Sequence, residues 1–179
     1  MKAIIVLLLA GLTYAQNLAF DCSRIPETCK NMCYGVNCRN LPTRMTFDDP
    51  SAATKKQRRD DAGCTKPNRC NGRTDGMTTC DEFPFASSQE GGGNAVTRCV
   101  SQAECWSQGG SLSGFYRGLR NNQQSRFTIS FTNEGNIPWC VGPGYGGCTN
   151  DGEEYQHGAP ARRRDLSGDL GNITAPKAG

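Results

Sequence analysis

The sequence has a single histidine, little net charge and no nucleotide-binding motif. His157 is the only histidine among 179 residues, which excludes a metal site or a catalytic centre built on several histidines. The formal net charge is only +3, so any affinity for nucleic acid must come from basic residues concentrated on one face. No P-loop, dinucleotide-binding motif or internal repeat occurs, which excludes the enzymes and repeat architectures that those patterns mark.

Long apolar runs are also missing, apart from one at the beginning of the chain. Lys2 precedes an apolar stretch over residues 3–12, and Thr13-Tyr14-Ala15 has the small-x-small pattern of a signal cleavage site. The apolar stretch is shorter than the roughly 20 residues that a membrane-spanning helix needs. We therefore expect residues 1–15 to be a signal peptide and the rest to be a secreted monomer without a membrane anchor.

Cysteine, in contrast, is abundant. All eleven cysteines follow the apolar stretch, and in a secreted chain this density indicates disulfides. Zinc is disfavoured because the spacing of Cys29, Cys33 and Cys38 is not a paired CxxC pattern. The odd number predicts five disulfides and one unpaired cysteine. The sequence does not determine the pairing; we expect two bridges within residues 22–38 and one between Cys140 and Cys148.

The pattern of apolar residues predicts a small, disulfide-rich α+β single domain with a short antiparallel sheet and two or three helices. Residues 16–43 form a cysteine-rich N-terminal segment, 44–148 the main domain, and 149–179 a polar, disordered tail with a glycosylation sequon at Asn172. We expect strands over 44–47, 95–100 and 126–132. We expect helices over 102–119 and over 50–62, the latter capped by Asp49 and ended by Gly63.

A cluster of acidic residues follows Cys80 in the segment CDEFPFASSQEGGG. Asp81 and Glu82 are adjacent, Phe83-Pro84-Phe85 indicates extended backbone with aromatic anchors, and Glu90 precedes three glycines. Paired carboxylates can bind a divalent cation or provide a general base. The alternative is a solvated acidic turn beside a disulfide, because short acidic motifs often arise by chance.

The segment CDEFPFAS followed by EGGG resembles the signature of the NucA/NucB-type secreted deoxyribonucleases. The resemblance extends from Lys55 to about Phe131 and includes KKQRRDD, AVTRCV, QGGSLSGFY and FTISF. It implies a strand-turn-helix platform around one divalent cation (Mg, Mn or Ca). It also implies catalytic roles for Asp81, Glu82 and Glu90 and metal-site roles for Glu82, Glu104 and Gln108. Many family members have an asparagine near Glu104, where this chain has Cys105-Trp106, so loss of activity stays open.

Hydrolysis of a phosphodiester needs a base that activates water and a cation at the phosphate. Because His157 lies in the polar tail, we expect a carboxylate base, either Asp81 or Glu82, whose pKa burial against Phe83 and Phe85 would raise. Basic residues on both sides of the acidic motif are expected to contact phosphates: Lys55, Lys56, Arg58, Arg59, Arg69 and Arg73.

The sequence therefore predicts a secreted endonuclease that cleaves DNA without sequence preference, since no base-reading motif is present. The alternative is a secreted, disulfide-rich binding protein without catalysis. No feature of the sequence reads a 2′-hydroxyl, so the choice between DNA and RNA stays open on the residues alone. Trp139, in a glycine-rich loop, either packs against a disulfide or stacks on bases.

Overall fold

The computed structural model describes residues 16–123, 125–141 and 147–161. The expected signal peptide over residues 1–15 and the sequon at Asn172 lie outside these ranges. The helices and strands, in chain order, are Gln16–Asp21 (β1), Pro26–Arg39 (α1), Arg44–Thr46 (β2), Ala52–Ala62 (α2), Thr79–Phe83 (β3), Val96–Val100 (β4), Gln102–Asn121 (α3), Arg126–Thr132 (β5), Tyr155–Gln156 (β6) and Ala159–Pro160 (β7).

The strands form two small sheets, which confirms the α+β class. One sheet has the order β1-β5-β2, with β1 parallel and β2 antiparallel to β5. The other has the order β3-β4-β6-β7 and is antiparallel throughout. In this second sheet β3 is an edge strand, so one side of the acidic motif has no neighbouring strand. No helix in the described part of the chain is long and apolar enough to cross a membrane.

The first helix, α1, forms the centre of the hydrophobic core. It packs against β3, β4 and α3, and Met32 and Tyr34 are fully buried on it. At its N-terminus the backbone N–H groups of Glu27 and Thr28 donate to the Glu104 carboxylate at 2.8 and 3.0 Å. These N–H groups have no partner within the helix, so a buried carboxylate stabilises this end. The cysteine-rich N-terminal segment over residues 16–43 therefore contributes its helix to the core.

The second helix, α2, begins and ends close to the predicted positions. Gly63 has φ 80°, in the left-handed region, and closes the helix as expected. The predicted N-cap is wrong: Ser51 is the capping residue, and its hydroxyl accepts from the Thr54 N–H. Asp49 instead forms an ion pair with Arg120 on α3 at 2.5 Å, a partner that lies too far along the chain for a local capping argument to reveal.

The disulfides confirm five bridges and one unpaired cysteine, Cys105, but correct the pairing. Only one bridge lies within residues 22–38, because α1 directs its later cysteines towards the segment that follows β5. Consequently Cys140 and Cys148 bond to α1 and not to each other. The bridges are Cys22–Cys29, Cys33–Cys140, Cys38–Cys148, Cys64–Cys80 and Cys70–Cys99.

The prediction of a disordered tail from residue 149 is corrected for residues 149–161. This segment returns to the second sheet, where Tyr155 of β6 pairs with Thr97 of β4. Glu154 is fully buried and bonds to the buried guanidinium of Arg98. The polar composition suggested disorder because the partner that neutralises the acidic residues lies more than 50 residues earlier. Residues 162–179 lie outside the described ranges.

Candidate functional site

A pocket of about 500 Å³ is bounded by α2, α3, β3 and the turn that follows β3. Five of the site residues predicted from the sequence line it: Asp81, Glu82, Gln108, Lys55 and Arg59. The structure therefore brings the acidic motif together with Lys55 and Arg59 from the predicted basic residues. Asp81 and Glu82 both line the pocket, and they lie on an edge strand, so no neighbouring strand covers that edge of the acidic motif.

The strand that carries the two carboxylates is fixed by aromatic packing and by a disulfide. Phe83 is fully buried and packs edge-to-face on Phe85, with ring centroids 5.5 Å apart. Cys80 is bonded to Cys64, just beyond the end of α2. The prediction that Phe83 and Phe85 anchor the acidic motif agrees with this packing, which leaves little freedom to the backbone of Asp81 and Glu82.

Asp81 lies on the buried side of β3 and is only 3% exposed. The Asn31 side-chain amide of α1 donates to its carboxylate at 2.9 Å and to its backbone carbonyl at 3.3 Å. Burial raises the pKa of Asp81 to about 8; hydrogen bonds from Asn31 and Gln108 oppose the rise and the Glu82 carboxylate adds to it. Asp81 is thus held rigidly and, without a cation, favours its protonated form at neutral pH.

Glu82 lies on the other side of the strand and is more accessible, with 12% of its side chain exposed. Its carboxylate accepts from Arg59 Nε at 3.3 Å. Burial raises its pKa, while the positive charge of Arg59 opposes that rise. The two neighbouring carboxylates therefore have different surroundings: an amide holds Asp81 and a guanidinium holds Glu82.

The unpaired Cys105 also lines the pocket. Burial and the nearby carboxylates of Asp81 and Glu82 raise the pKa of its thiol to about 11. A thiol with a raised pKa is a poor nucleophile at neutral pH, because the thiolate is the reactive form. The chemistry of the pocket therefore lies with the carboxylates and not with Cys105.

Two acidic residues of the predicted site lie elsewhere. Both oxygens of Glu90 accept from the backbone N–H of Thr46 at 3.0 Å, which ties the glycine-rich turn to β2. Glu104 is engaged at the N-terminus of α1, as described above, and neither residue lines the pocket. The structure therefore gives Glu90 and Glu104 contacts that position backbone, while Gln108, one turn after Glu104, faces the pocket.

The donor atoms at the pocket suit a hard divalent cation with an incomplete protein shell. No group of three or more His, Cys, Asp and Glu side chains in the described residues is arranged to hold a metal ion. However, Asp81, Glu82 and Gln108 line the pocket and carry side-chain oxygen atoms. Asn31 lies behind Asp81 and does not line the pocket, and its Oδ1 is buried without a hydrogen-bond partner. Mg²⁺ is typically bound by one or two carboxylates, with water and substrate phosphate completing the shell. The residues present fit such an ion.

Three of the arginines predicted to contact phosphate are engaged within the protein. Arg58 pairs with Asp48 at 2.6 Å. Arg69 donates to the Thr97 carbonyl at 2.9 Å and lies over the Tyr155 ring. Arg73 bonds to acidic side chains, including Glu153 at 2.8 Å. Lys56 is exposed and pairs with Asp60 on α2. None of these four basic residues lines the pocket.

Lys55 and Arg59 do line the pocket, and two further basic side chains line it as well. Lys66 comes from the loop after α2 and Arg120 from the last turn of α3. Sequence reasoning missed both as site residues, and it also missed Asn31. No spacing pattern in the sequence links Asn31 with Asp81, which lies 50 residues later in the chain.

A comparison with known protein families matches most of the region described above. The family described as Deoxyribonuclease NucA/NucB matches residues 32–130, which is more than half of the chain. The matched region begins within α1 and ends in β5. It contains every residue that lines the pocket. A search of curated proteins gave no significant match.

Proposed function

The chain belongs to the NucA/NucB deoxyribonuclease family, and from this we propose that it is a secreted, metal-dependent endonuclease that cleaves DNA without sequence preference. The observation that carries the proposal is the composition of the pocket. Two carboxylates, Asp81 and Glu82, face the same space as several basic side chains. Phosphoryl transfer needs this combination, because one group must accept a proton while others stabilise negative charge on the phosphate.

The basic residues of the pocket are assigned to the DNA backbone. They are Lys55, Arg59, Lys66 and Arg120, which replace the wider set expected from the sequence. The ion pair of Arg120 with Asp49 lies in solvent, with 47% of the Arg120 side chain exposed, so Arg120 can exchange this partner for a phosphate. Arg59 is 55% exposed and already touches Glu82, so its guanidinium can donate to a phosphate oxygen beside the base. Contacts of this kind do not depend on base identity, which supports cleavage without sequence preference.

Asp81, Glu82 and Gln108 are the residues that would hold the divalent cation. A cation bound there would polarise the phosphate and lower the pKa of a coordinated water. Of the two carboxylates, Glu82 is the better candidate for the base because it is the more accessible one and because Arg59 opposes the rise of its pKa, which favours the ionised form that can accept a proton. Asp81 is deeper, and Asn31 fixes its orientation, so it is better suited to binding the cation than to exchanging protons with solvent.

The test is cleavage of supercoiled plasmid by the purified protein in Mg²⁺, Mn²⁺ or Ca²⁺, with a chelator as control. We expect nicked and linear DNA with at least one cation and intact plasmid with the chelator. Cleavage that persists in the chelator would contradict metal dependence. Absence of cleavage with every cation, together with retained DNA binding, would favour the alternative of a non-catalytic binding protein.

A further inference from the structure

The tryptophan on α3 is exposed to solvent, and no packing contact within the described residues explains why a large aromatic side chain stands at this position. Trp106 is 70% exposed. The other tryptophan, Trp139, is 4% exposed and packs edge-to-face against Tyr34, so the possible role of Trp139 in base stacking is not supported. A large aromatic ring left in water forgoes the hydrophobic stabilisation that its burial would give. The exposed Trp106 ring therefore suggests a surface that contacts a partner.

Trp106 lies at the edge of the face that α3 presents to the pocket. It directly follows Cys105, and it is one helical turn from Gln102 and two turns from Ser113; all three of these residues line the pocket. Residues four and seven apart lie on the same side of an α-helix. The indole therefore extends the wall of the pocket towards solvent on the α3 side.

The next turn of α3 leaves the indole uncovered. Side chains of a helix lean towards its N-terminus, so residues 109 and 110 would cover the surface around Trp106. Both are glycines, and a Cβ atom added to either would meet nothing within 4 Å. Packing therefore does not require glycine here, and glycine is unfavourable in a helix interior. What the two glycines do provide is open space beside the ring.

We propose that Trp106 is a stacking platform for an unpaired nucleobase, so that the pocket selects single-stranded or locally unpaired DNA. This inference rests on the proposed function, because the basic side chains that line the pocket would bind the phosphates of the same DNA strand. A basic groove beside an exposed aromatic ring is the arrangement with which proteins bind single strands without sequence preference. In a duplex the faces of the bases are covered by their neighbours, and only an unpaired base can stack on the indole.

The test measures the fluorescence of the two tryptophans while DNA is added to the protein. A chelator is present throughout, so that the DNA is not cleaved. The probes are a dT12 oligonucleotide and a 12-base-pair duplex. We expect dT12 to quench the exposed Trp106, with Trp139 emission as an internal reference. Trp106→Ala should weaken dT12 binding about 5- to 100-fold, change duplex binding less than about twofold and abolish the quenching. Trp106→Phe should retain most of the affinity.

Two further variants separate stacking from a loss of structure. Gly110→Leu keeps the indole but covers it, and we expect it to weaken dT12 binding as well. Ser111→Ala, on the opposite side of α3, should change nothing. Equal binding of dT12 by the wild type and Trp106→Ala would overturn the inference. Plasmid cleavage without any quenching of Trp106 would refute the stacking inference but not the proposed hydrolysis. Quenching without plasmid cleavage in any divalent cation would refute the proposed hydrolysis but not the stacking inference.

Discussion

The two disulfides that join α1 to the segment after β5 should act in a strongly non-additive way. Cys33–Cys140 and Cys38–Cys148 close loops of 107 and 110 residues. Both bridges join the same two segments of the chain. While one bridge is intact, the second bridge therefore closes only the short ring that lies between the two bridges. The sequence separations within that ring are five on the α1 side, from Cys33 to Cys38, and eight on the other side, from Cys140 to Cys148, so the effective loop length is 13.

The loop-closure relation gives the magnitude. A ring of 13 residues corresponds to about 3 kcal/mol, and a loop of around 100 residues, shortened somewhat by the bridges inside it, to about 4.5 kcal/mol. Removing either bridge alone should therefore lower the free energy of unfolding by about 3 kcal/mol. Removing both should lower it by about 7.5 kcal/mol, which is a large part of the stability of a domain of this size.

The assay is urea unfolding, followed by circular dichroism, of the wild type, the two Cys→Ala pairs and the variant that lacks both bridges. Alanine keeps the sites apolar, and Cys33 and Cys38 are buried. The variant without both bridges should lose more than the sum of the two single losses, or be unfolded in the absence of urea. If losing the second bridge costs no more than losing the first, the loop argument is refuted.

Three other perturbations follow from the contacts described above. Asn31→Ala should lower the rate of plasmid nicking about 10- to 100-fold. It should also raise the pKa of Asp81, because the Asn31 hydrogen bond lowers that pKa; an NMR titration in the presence of a chelator measures the change. Burial raises the pKa of Glu154 from 4.5 to about 8, so its stabilising contribution is present below pH 4.5 and is lost as the pH rises towards 8. The unfolding free energy of Glu154→Gln should consequently fall less than that of the wild type between those pH values. Lys55→Ala should reduce the salt dependence of DNA binding by about one unit, whereas Arg73→Ala should leave it unchanged because Arg73 is paired outside the pocket; anisotropy titrations at several salt concentrations test this.

Local patterns in the sequence predicted local structure well. The alternating run RFTISFT is strand β5 over the predicted residues, and α2 ends at Gly63 as expected. The acidic motif was recognised because its residues are adjacent and need no tertiary information. The motif, the aromatic anchors and part of the basic cluster were consequently placed correctly near one another.

Long-range contacts were the part that the sequence did not reveal. Asn31 reaches Asp81 across 50 residues, and Glu104 caps a helix that begins 78 residues before it. A charged residue looks the same in a sequence whether it contacts a phosphate or, like Arg69, an internal carbonyl. The cysteine pairing failed for the same reason, because it depends on where α1 lies in the fold.

The central claim is that the accessible carboxylate of the pocket acts in hydrolysis, and plasmid nicking by Glu82→Gln tests it most directly. The substitution keeps the size of the side chain and removes its charge. We expect the nicking rate in the preferred cation to fall about 10²- to 10⁴-fold. Glu90→Gln, which can still accept the Thr46 N–H bond, and His157→Ala should both nick at close to the wild-type rate. Wild-type nicking by Glu82→Gln, or an inactive His157→Ala beside an active Glu82→Gln, would contradict the account.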